Sequence, residues 1–355
     1  MTDKLFPFIF VFVCCMAPDA GLYPENYPGD RISKQCGVSW VAGAVPVTVE
    51  DFQPLLKSGV NWIVQTPFGW QRNFNSPKFE LVTKGRIYWG ETDEGLEITT
   101  RLAKSVGIKT LLKPHIWLSN RSNGKWRAQI EMDSEADWRQ WFASYEKFIL
   151  HYARLAQRNQ IAALCVGVEL HITVLKRESD WRKIIAAIRE VYNGKLTYAA
   201  NWFQEFEDVK FWDALDYIGI QAYFPLSQMK NPDVEELMKG WQPHFKALEN
   251  ISQKYQKPIL FTEIGYKSSA DTAIKPWEWP RRNSKAASED ELQTQANCYE
   301  AFFRTFWQHD WCVGAYFWKW FPKLKSAPNR LGRGYTPQFK PAEQVLTKWY
   351  CDLDR

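Results

Sequence analysis

The stretch PILFTEIGY, Pro258–Tyr266, runs as a strand-length apolar segment and reaches a carboxylate, Glu263, where that segment stops. A charge at the end of a buried strand is costly unless it is paired or used. A second stretch, CVGVEL at Cys165–Leu170, ends the same way on Glu169. The two acids lie 94 residues apart in the chain, so whether they share one site depends on the fold that separates them.

That intervening chain is a repeated alternation. Apolar runs of strand length begin at Gln35 (QCGVSWVA), Val60 (VNWIVQT), Ile108 (IKTLLKPH), Ile161 (IAALCVGVE), Lys195 (KLTYAANW), Leu215 (LDYIGIQAY), Pro258 and Cys312 (CVGAYFWKW). They are near-continuous rather than alternating, as expected of strands buried on both faces of a parallel sheet. Helical patterns lie between them. The clearest starts at Ser134, with Asp137 three residues on as a variant of the capping box. Trp138, Trp141, Phe142, Tyr145, Phe148, Ile149 and Tyr152 follow at helical spacing. EGLEITTRLAKSVG, DWRKIIAAIREVYNG, VEELMKGWQPHFKALENISQKY and ELQTQANCYEAFFRTFWQHD read as further helices, several ending at Gly or just before a new strand. Eight β-then-α alternations predict an α/β chain folded as a single-domain (β/α)8 TIM barrel. Long loops from about Pro67 to Gly90 and from about Lys267 to Glu289 follow strand ends, which places both on the catalytic face.

In such a barrel the strand ends converge on one mouth, and Glu169, ending the fourth strand, meets Glu263, ending the seventh. Two carboxylates in one cleft suit glycoside hydrolysis: one protonates the leaving oxygen and the other attacks the anomeric carbon. Retention of configuration calls for a separation of about 5–5.5 Å. Burial and the neighbouring anion should raise the acid's pKa, while hydrogen bonds hold the nucleophile ionised.

Composition narrows the partner. Net charge is +5 with no long basic run, which argues against nucleic acid and fits a neutral ligand. Aromatic residues make up 16% of the 355 residues, including 19 Trp, more than a core of this size requires, and flat rings suit the apolar faces of sugars. There are 5 His and no H-E-x-x-H, C-x-x-C or Gly-rich phosphate motif, so neither a metal nor a cofactor is expected. Lys4 precedes an apolar run from Leu5 to Ala17, the length of a secretory h-region and too short to span a bilayer. Residues 1–20 are thus expected to be an export signal, with Cys14 or Cys15 as candidate lipid acceptors. Residues 21–355 are expected to form the catalytic domain, a monomer that is secreted, periplasmic or at the outer surface, with no transmembrane span.

The pairing of a fourth-strand with a seventh-strand Glu resembles the large clan of retaining (β/α)8 glycosidases. GVEL followed by FTEIGY, with LTYAANW between and YFWKW after, resembles glycoside hydrolase family 113 most, over about Gly37 to Trp320. The resemblance implies an endo-β-1,4-mannanase acting on mannan and related polymers, with Glu169 as acid/base and Glu263 as nucleophile. In much of the clan a polar residue precedes the acid/base and contacts the sugar 2-hydroxyl. Here that position is Val168, which cannot donate, and Asn201 at the end of the fifth strand is the candidate substitute.

Other strand ends offer partners. Tyr223 is placed to donate its hydroxyl to Glu263. Trp318 is the candidate floor of the cleaved sugar's subsite, with Trp320 two residues on. His115 is a candidate ligand for a sugar hydroxyl, and Trp40, Trp117 and Trp202 are candidate stacking rings. Trp277 and Trp279, and more weakly Trp70, are candidates for outer subsites. Lys113 either reaches the mouth or neutralises a rim acid, and His171 is a candidate modulator of Glu169. Two rival functions stay open: a related glycanase or transglycosylase on β-glucan, xylan or galactan, and a non-catalytic glycan-binding barrel. The second would be marked by a missing carboxylate, and both are present.

Overall fold

The computed structural model describes residues 34–85, 87–120, 124–280, 286–324 and 332–352. The expected export signal lies outside them. Eight parallel strands close a barrel: β1 (Gln35–Trp40), β2 (Trp62–Gln65), β3 (Lys109–Leu112), β4 (Ala163–Val168), β5 (Lys195–Asn201), β6 (Tyr217–Ala222), β7 (Ile259–Ile264) and β8 (Cys312–Trp320). Each lies beside its neighbour in the chain, and the ring closes where β1 meets β8, with Gln35 opposite Gly314. All eight expected strands are present, and β1, β4, β6 and β7 are buried along their whole length.

Around the barrel lie α1 (Gln53–Lys57), α2 (Asp93–Ser105), α3 (Glu135–Arg158), α4 (His171–Lys176), α5 (Glu178–Arg189), α6 (Val234–Tyr255), α7 (Glu289–Phe306) and α8 (Pro341–Cys351). α3 starts as its sequence requires: the Ser134 hydroxyl accepts from the Asp137 amide, and the seven apolar residues read at helical spacing are all buried. The alternation is nevertheless imperfect. β5 and β6 are joined through a single 3-10 turn, Trp212–Ala214, instead of an α-helix. Phe206, Val209, Phe211 and Trp212 are buried there and fill the space a helix would occupy. The long segment after β2 is not all loop either. Phe68–Gln71 pairs antiparallel with Phe79–Leu81 and parallel with His115–Leu118, giving a three-stranded sheet beside the mouth. Gln71 anchors it: buried, it accepts from the Trp141 indole at 2.9 Å and donates to the Asn73 carbonyl at 2.7 Å.

The barrel interior is plugged by Trp62, Val64, Leu111, Cys165, Ala199, Tyr217, Leu260 and Tyr316, with the Trp62 and Tyr316 rings edge to face at 6.4 Å. Side chains fill one end of the lumen, so only the other can hold a ligand. At that end the strand register breaks beside both acids, between Cys165 and Val168 on β4 and between Leu260 and Glu263 on β7. Irregularities of this kind re-aim the side chains that follow. The described cysteines, Cys36, Cys165, Cys298, Cys312 and Cys351, are free, and all but Cys351 are buried. Among the described residues no helix is long and apolar enough to cross a membrane.

One packing contact tests this arrangement. Gly37 sits opposite Tyr316, and a Cβ there would lie 2.2–2.7 Å from the Tyr316 ring. Gly37→Ala should lower the free energy of unfolding in urea by about 1–3 kcal/mol through overpacking. An unchanged midpoint would mean that Tyr316 does not fill the lumen.

Candidate active site

Glu263 is buried, with 6% of its surface exposed, at the end of β7. Lys113, directly after β3, reaches across the barrel interior to it; β3 and β7 are four places apart in the ring of eight. The Lys113 ammonium is completely buried and has three acceptors: Glu263 Oε2 at 2.8 Å, the Thr262 carbonyl at 3.0 Å and Gln221 Oε1 at 3.2 Å. The Gln221 amide donates to Glu263 Oε2 at 3.2 Å, and the Tyr223 hydroxyl donates to Oε1. Burial alone would push this carboxyl up, but the Lys113 charge and the hydrogen bonds from Lys113, Tyr223 and Gln221 outweigh it and hold the pKa below the ordinary value.

Glu169 is equally buried and is treated in the opposite way. Burial raises its pKa, the Arg127 guanidinium offsets part of that, and the charge of Glu263 adds to the rise. Arg127, in the loop after β3, donates to Oε2, and the Asn201 amide donates to Oε1 at 3.4 Å. The Glu169 backbone has φ of +51°, the left-handed region a non-glycine residue rarely occupies. Its N–H donates to the Ala199 carbonyl at 2.9 Å, and this carries the side chain off the β4 line towards the mouth. The charge of Glu263 acts on Glu169, and the Lys113 charge acts on both carboxyls.

The other expected residues divide. Tyr223 and Asn201 contact the two acids directly. Beyond Glu263, a Cβ on Gly265 would lie 3.1–3.2 Å from the Tyr223 ring, the Trp318 Cβ and the Tyr335 ring, so those three side chains pack around one point. The half-buried Trp318 has an indole N–H with no partner among the described residues. His115 is buried in the mouth, and its Nε2 likewise has no partner. Burial first, then the charges of Arg127 and Lys113, hold His115 well below its ordinary pKa and therefore neutral. Trp202 stacks on Trp277 at 5.3 Å, and Trp277 is 43% exposed, forming one aromatic wall. Trp117, 39% exposed, packs with Phe68 at 5.9 Å and Trp70 at 6.3 Å on the opposite side. Trp279 is exposed and lies edge on to Tyr335 at 5.2 Å. Ile116, Trp117, Leu118, Trp126 and Arg127 line a small open depression of about 50 Å³, and Arg127 also pairs with Glu169.

The expectations for Trp40 and Trp320 are corrected. Trp40 is no platform: it is only 4% exposed and stacks flat on Phe52 at 4.7 Å, as part of the core. Trp320 pairs in register with Trp40 and is buried as well. Among the described residues His171 makes no hydrogen bond to Glu169; burial lowers its pKa, and the charge of Asp208 opposes that.

Some of the site was harder to read. Gln221 was visible only as a polar residue in the buried run IGIQAY, and Lys113 as a cation ending one. Arg127, in a loop, carried no signal. Glu205, behind Asn201, and Lys319 were missed. The Lys319 ammonium lies 5.0–5.3 Å from the rings of Trp279, Trp318 and Phe321.

The sequence profile of Glycoside Hydrolase Family 113 matches residues 43–335. Among solved structures, the GH113 beta-mannanase AaManA from Alicyclobacillus acidocaldarius, in complex with ManMIm, is 27% identical with a TM-score of 0.75, covering 90% of this chain and 98% of that one. A complex of a GH113 beta-1,4-mannanase is 26% identical with a TM-score of 0.75, covering 90% and 99%. A further GH113 beta-1,4-mannanase structure is 27% identical with a TM-score of 0.73, covering 91% and 100%. A search of curated protein sequences gave no significant match.

The Lys113 contact makes a direct prediction. In Lys113→Met, burial is no longer offset and Glu263 should titrate above the ordinary carboxylate value, read by NMR of the labelled carboxyl carbon. The sign of the stability effect reverses with it. In the wild type the lowered Glu263 pKa contributes stability above the ordinary carboxylate range, and that stability is lost as pH falls through the folded value. In the variant stability falls as pH rises through the raised value. An unshifted Glu263 titration would contradict the role given to Lys113.

Proposed function

The chain belongs to Glycoside Hydrolase Family 113, and from that membership we propose that this glycoside hydrolase cleaves β-1,4-linked mannan-type polysaccharides or oligosaccharides with retention of configuration. Glu263 is the nucleophile and Glu169 the acid/base. The observation that carries this assignment is the opposite electrostatic treatment of two buried carboxylates in one mouth. Lys113, Gln221 and Tyr223 hold Glu263 ionised, while burial and the neighbouring anion favour the protonated form of Glu169. Two acids whose surroundings push their pKa values apart divide the roles of nucleophile and proton donor.

In the first step a Glu263 oxygen attacks the anomeric carbon. The glycosidic bond breaks, and the Glu169 proton passes to the departing oxygen, leaving a glycosyl ester on Glu263. In the second, ionised Glu169 takes a proton from water, the water oxygen attacks the anomeric carbon, and Glu263 is released. Glu169 must visit both protonation states. Burial favours the first and Arg127 the second, so the residue is poised for exchange. The two aromatic groups, with the His115 and Trp318 nitrogens that have no partner among the described residues, supply stacking faces and polar groups for a neutral glycan. The mannan preference is supported by the activity named for the structurally similar mannanases. Export to the periplasm or beyond is proposed on the apolar run from Leu5 to Ala17.

Three measurements test the proposal. Products from mannan, glucomannan, β-glucan, xylan and galactan, resolved by size, should appear chiefly from the first two. NMR at early times should show the β-anomer forming first. Glu263→Ala should abolish hydrolysis and, with the Lys113 charge left buried and unpaired, also lower stability by several kcal/mol while keeping the native circular dichroism spectrum, and Glu169→Ala should lose about 10²–10⁴-fold on natural substrate. An α-anomer formed first, or near-normal activity in Glu263→Ala, would end the assignment.

A further inference from the structure

Behind Glu169 lies a carboxylate that the mechanism does not use. Glu205 is 1% exposed and makes no ion pair among the described residues. Its two oxygens are both occupied: Oε1 accepts from the Tyr198 hydroxyl, and Oε2 accepts from the Asn201 backbone N–H at 3.1 Å. The Tyr198 oxygen in turn accepts from the Leu170 N–H at 2.7 Å. Asn201 sends its side-chain amide to Glu169 at 3.4 Å and fixes its own orientation by accepting from the Phe203 N–H at 2.9 Å. These contacts form a closed ring. It runs from Glu169 through its peptide bond to Leu170, then Tyr198, Glu205 and Asn201, and back to the Glu169 carboxylate.

Two residues at the ring have left-handed backbone, Glu169 itself at φ +51° and Gln204, which directly precedes Glu205, at φ +55°. Such conformations persist when the surroundings over-determine them. A buried carboxyl is also expensive to retain, and burial pushes Glu205 up to about 8. An apolar residue would fill the space at lower cost, but it could not accept from two donors pointing at two separate oxygens.

We propose that Glu205 is a positioning residue for the acid/base: through Tyr198 it fixes the backbone flank of Glu169, and through Asn201 it fixes the donor on the Glu169 carboxylate. The inference rests on reading Glu169 as the acid/base. Loss of the ring lets the proton donor drift from the leaving oxygen without disturbing Glu263, whose hydrogen bonds come from Lys113 after β3 and from Gln221 and Tyr223 at the end of β6.

The test compares leaving groups. Glu205→Gln places an amide where two acceptors are needed, and Tyr198→Phe removes only one hydroxyl from the same ring. For each full-length variant, kcat/KM is measured on manno-oligosaccharide and on a 2,4-dinitrophenyl β-mannoside, whose leaving group departs without a proton. On the oligosaccharide both variants should lose roughly 10²-fold, the scale of a small misplacement of a reacting group. On the dinitrophenyl substrate they should stay near wild type. Parallel losses on the two substrates, no loss on either, or failure of both variants to fold would overturn the proposal and leave the ring a structural element. Glu169→Ala is the control: if it lacks the same leaving-group dependence, the acid/base reading of Glu169 has failed, independently of Glu205.

Discussion

The site is organised by one buried ion pair. Lys113 and Glu263 are 150 residues apart in the chain, and their side chains meet inside the barrel with the lysine fully removed from water. Leaving either charge there alone would cost several kcal/mol, so the pair ties two opposite strands together as well as setting a charge state. All three lysine donors are satisfied by β6 and β7 and by Glu263 itself, which fixes the geometry along with the charge. The barrel closes in register, the lumen is packed below the pair, and the mouth above it is the space left for substrate.

From that pair the asymmetry of the two acids follows. Both are buried to the same degree, so desolvation acts on both in the same direction. They differ in what faces them. Glu263 receives a cation, an amide and a phenol, whereas Glu169 receives one guanidinium and a long contact from Asn201. The first set overcomes burial and the second does not. The proposed division of chemical labour is therefore a consequence of neighbours supplied by β3, β5 and β6, none of which carries a reacting carboxylate.

The barrel was legible in the sequence because burial on both faces writes each strand as a continuous apolar run, and eight such runs are hard to arrange otherwise. Glu169 and Glu263 were legible for the same reason: a charge ending such a run stands out. The β5–β6 connection was not, because WFQEFEDVKFWDALD has the aromatic content of a helix face without its period, and its rings pack as a plug. Phe68–Gln71 was hidden because one partner, His115–Leu118, lies in another segment and the other, Phe79–Leu81, is only three residues long. Trp40 misled for a related reason. A tryptophan at a strand end can face the mouth or the outer layer, and Phe52, which settles the choice by stacking on it, belongs to the following connection. Arg127 and Glu205 act from loops, where side-chain direction depends on tertiary contacts alone.

The most direct measurement of the central claim is chemical trapping. A 2-deoxy-2-fluoro-β-mannosyl fluoride loses fluoride readily, but its fluorine slows breakdown of the glycosyl ester formed, so the labelled peptide can be found by mass spectrometry. The account predicts a single fluoromannosyl adduct on Glu263 that forms in the wild type and is absent from Glu263→Gln. An adduct on Glu169 or elsewhere, or time-dependent labelling that survives in Glu263→Gln, would contradict it.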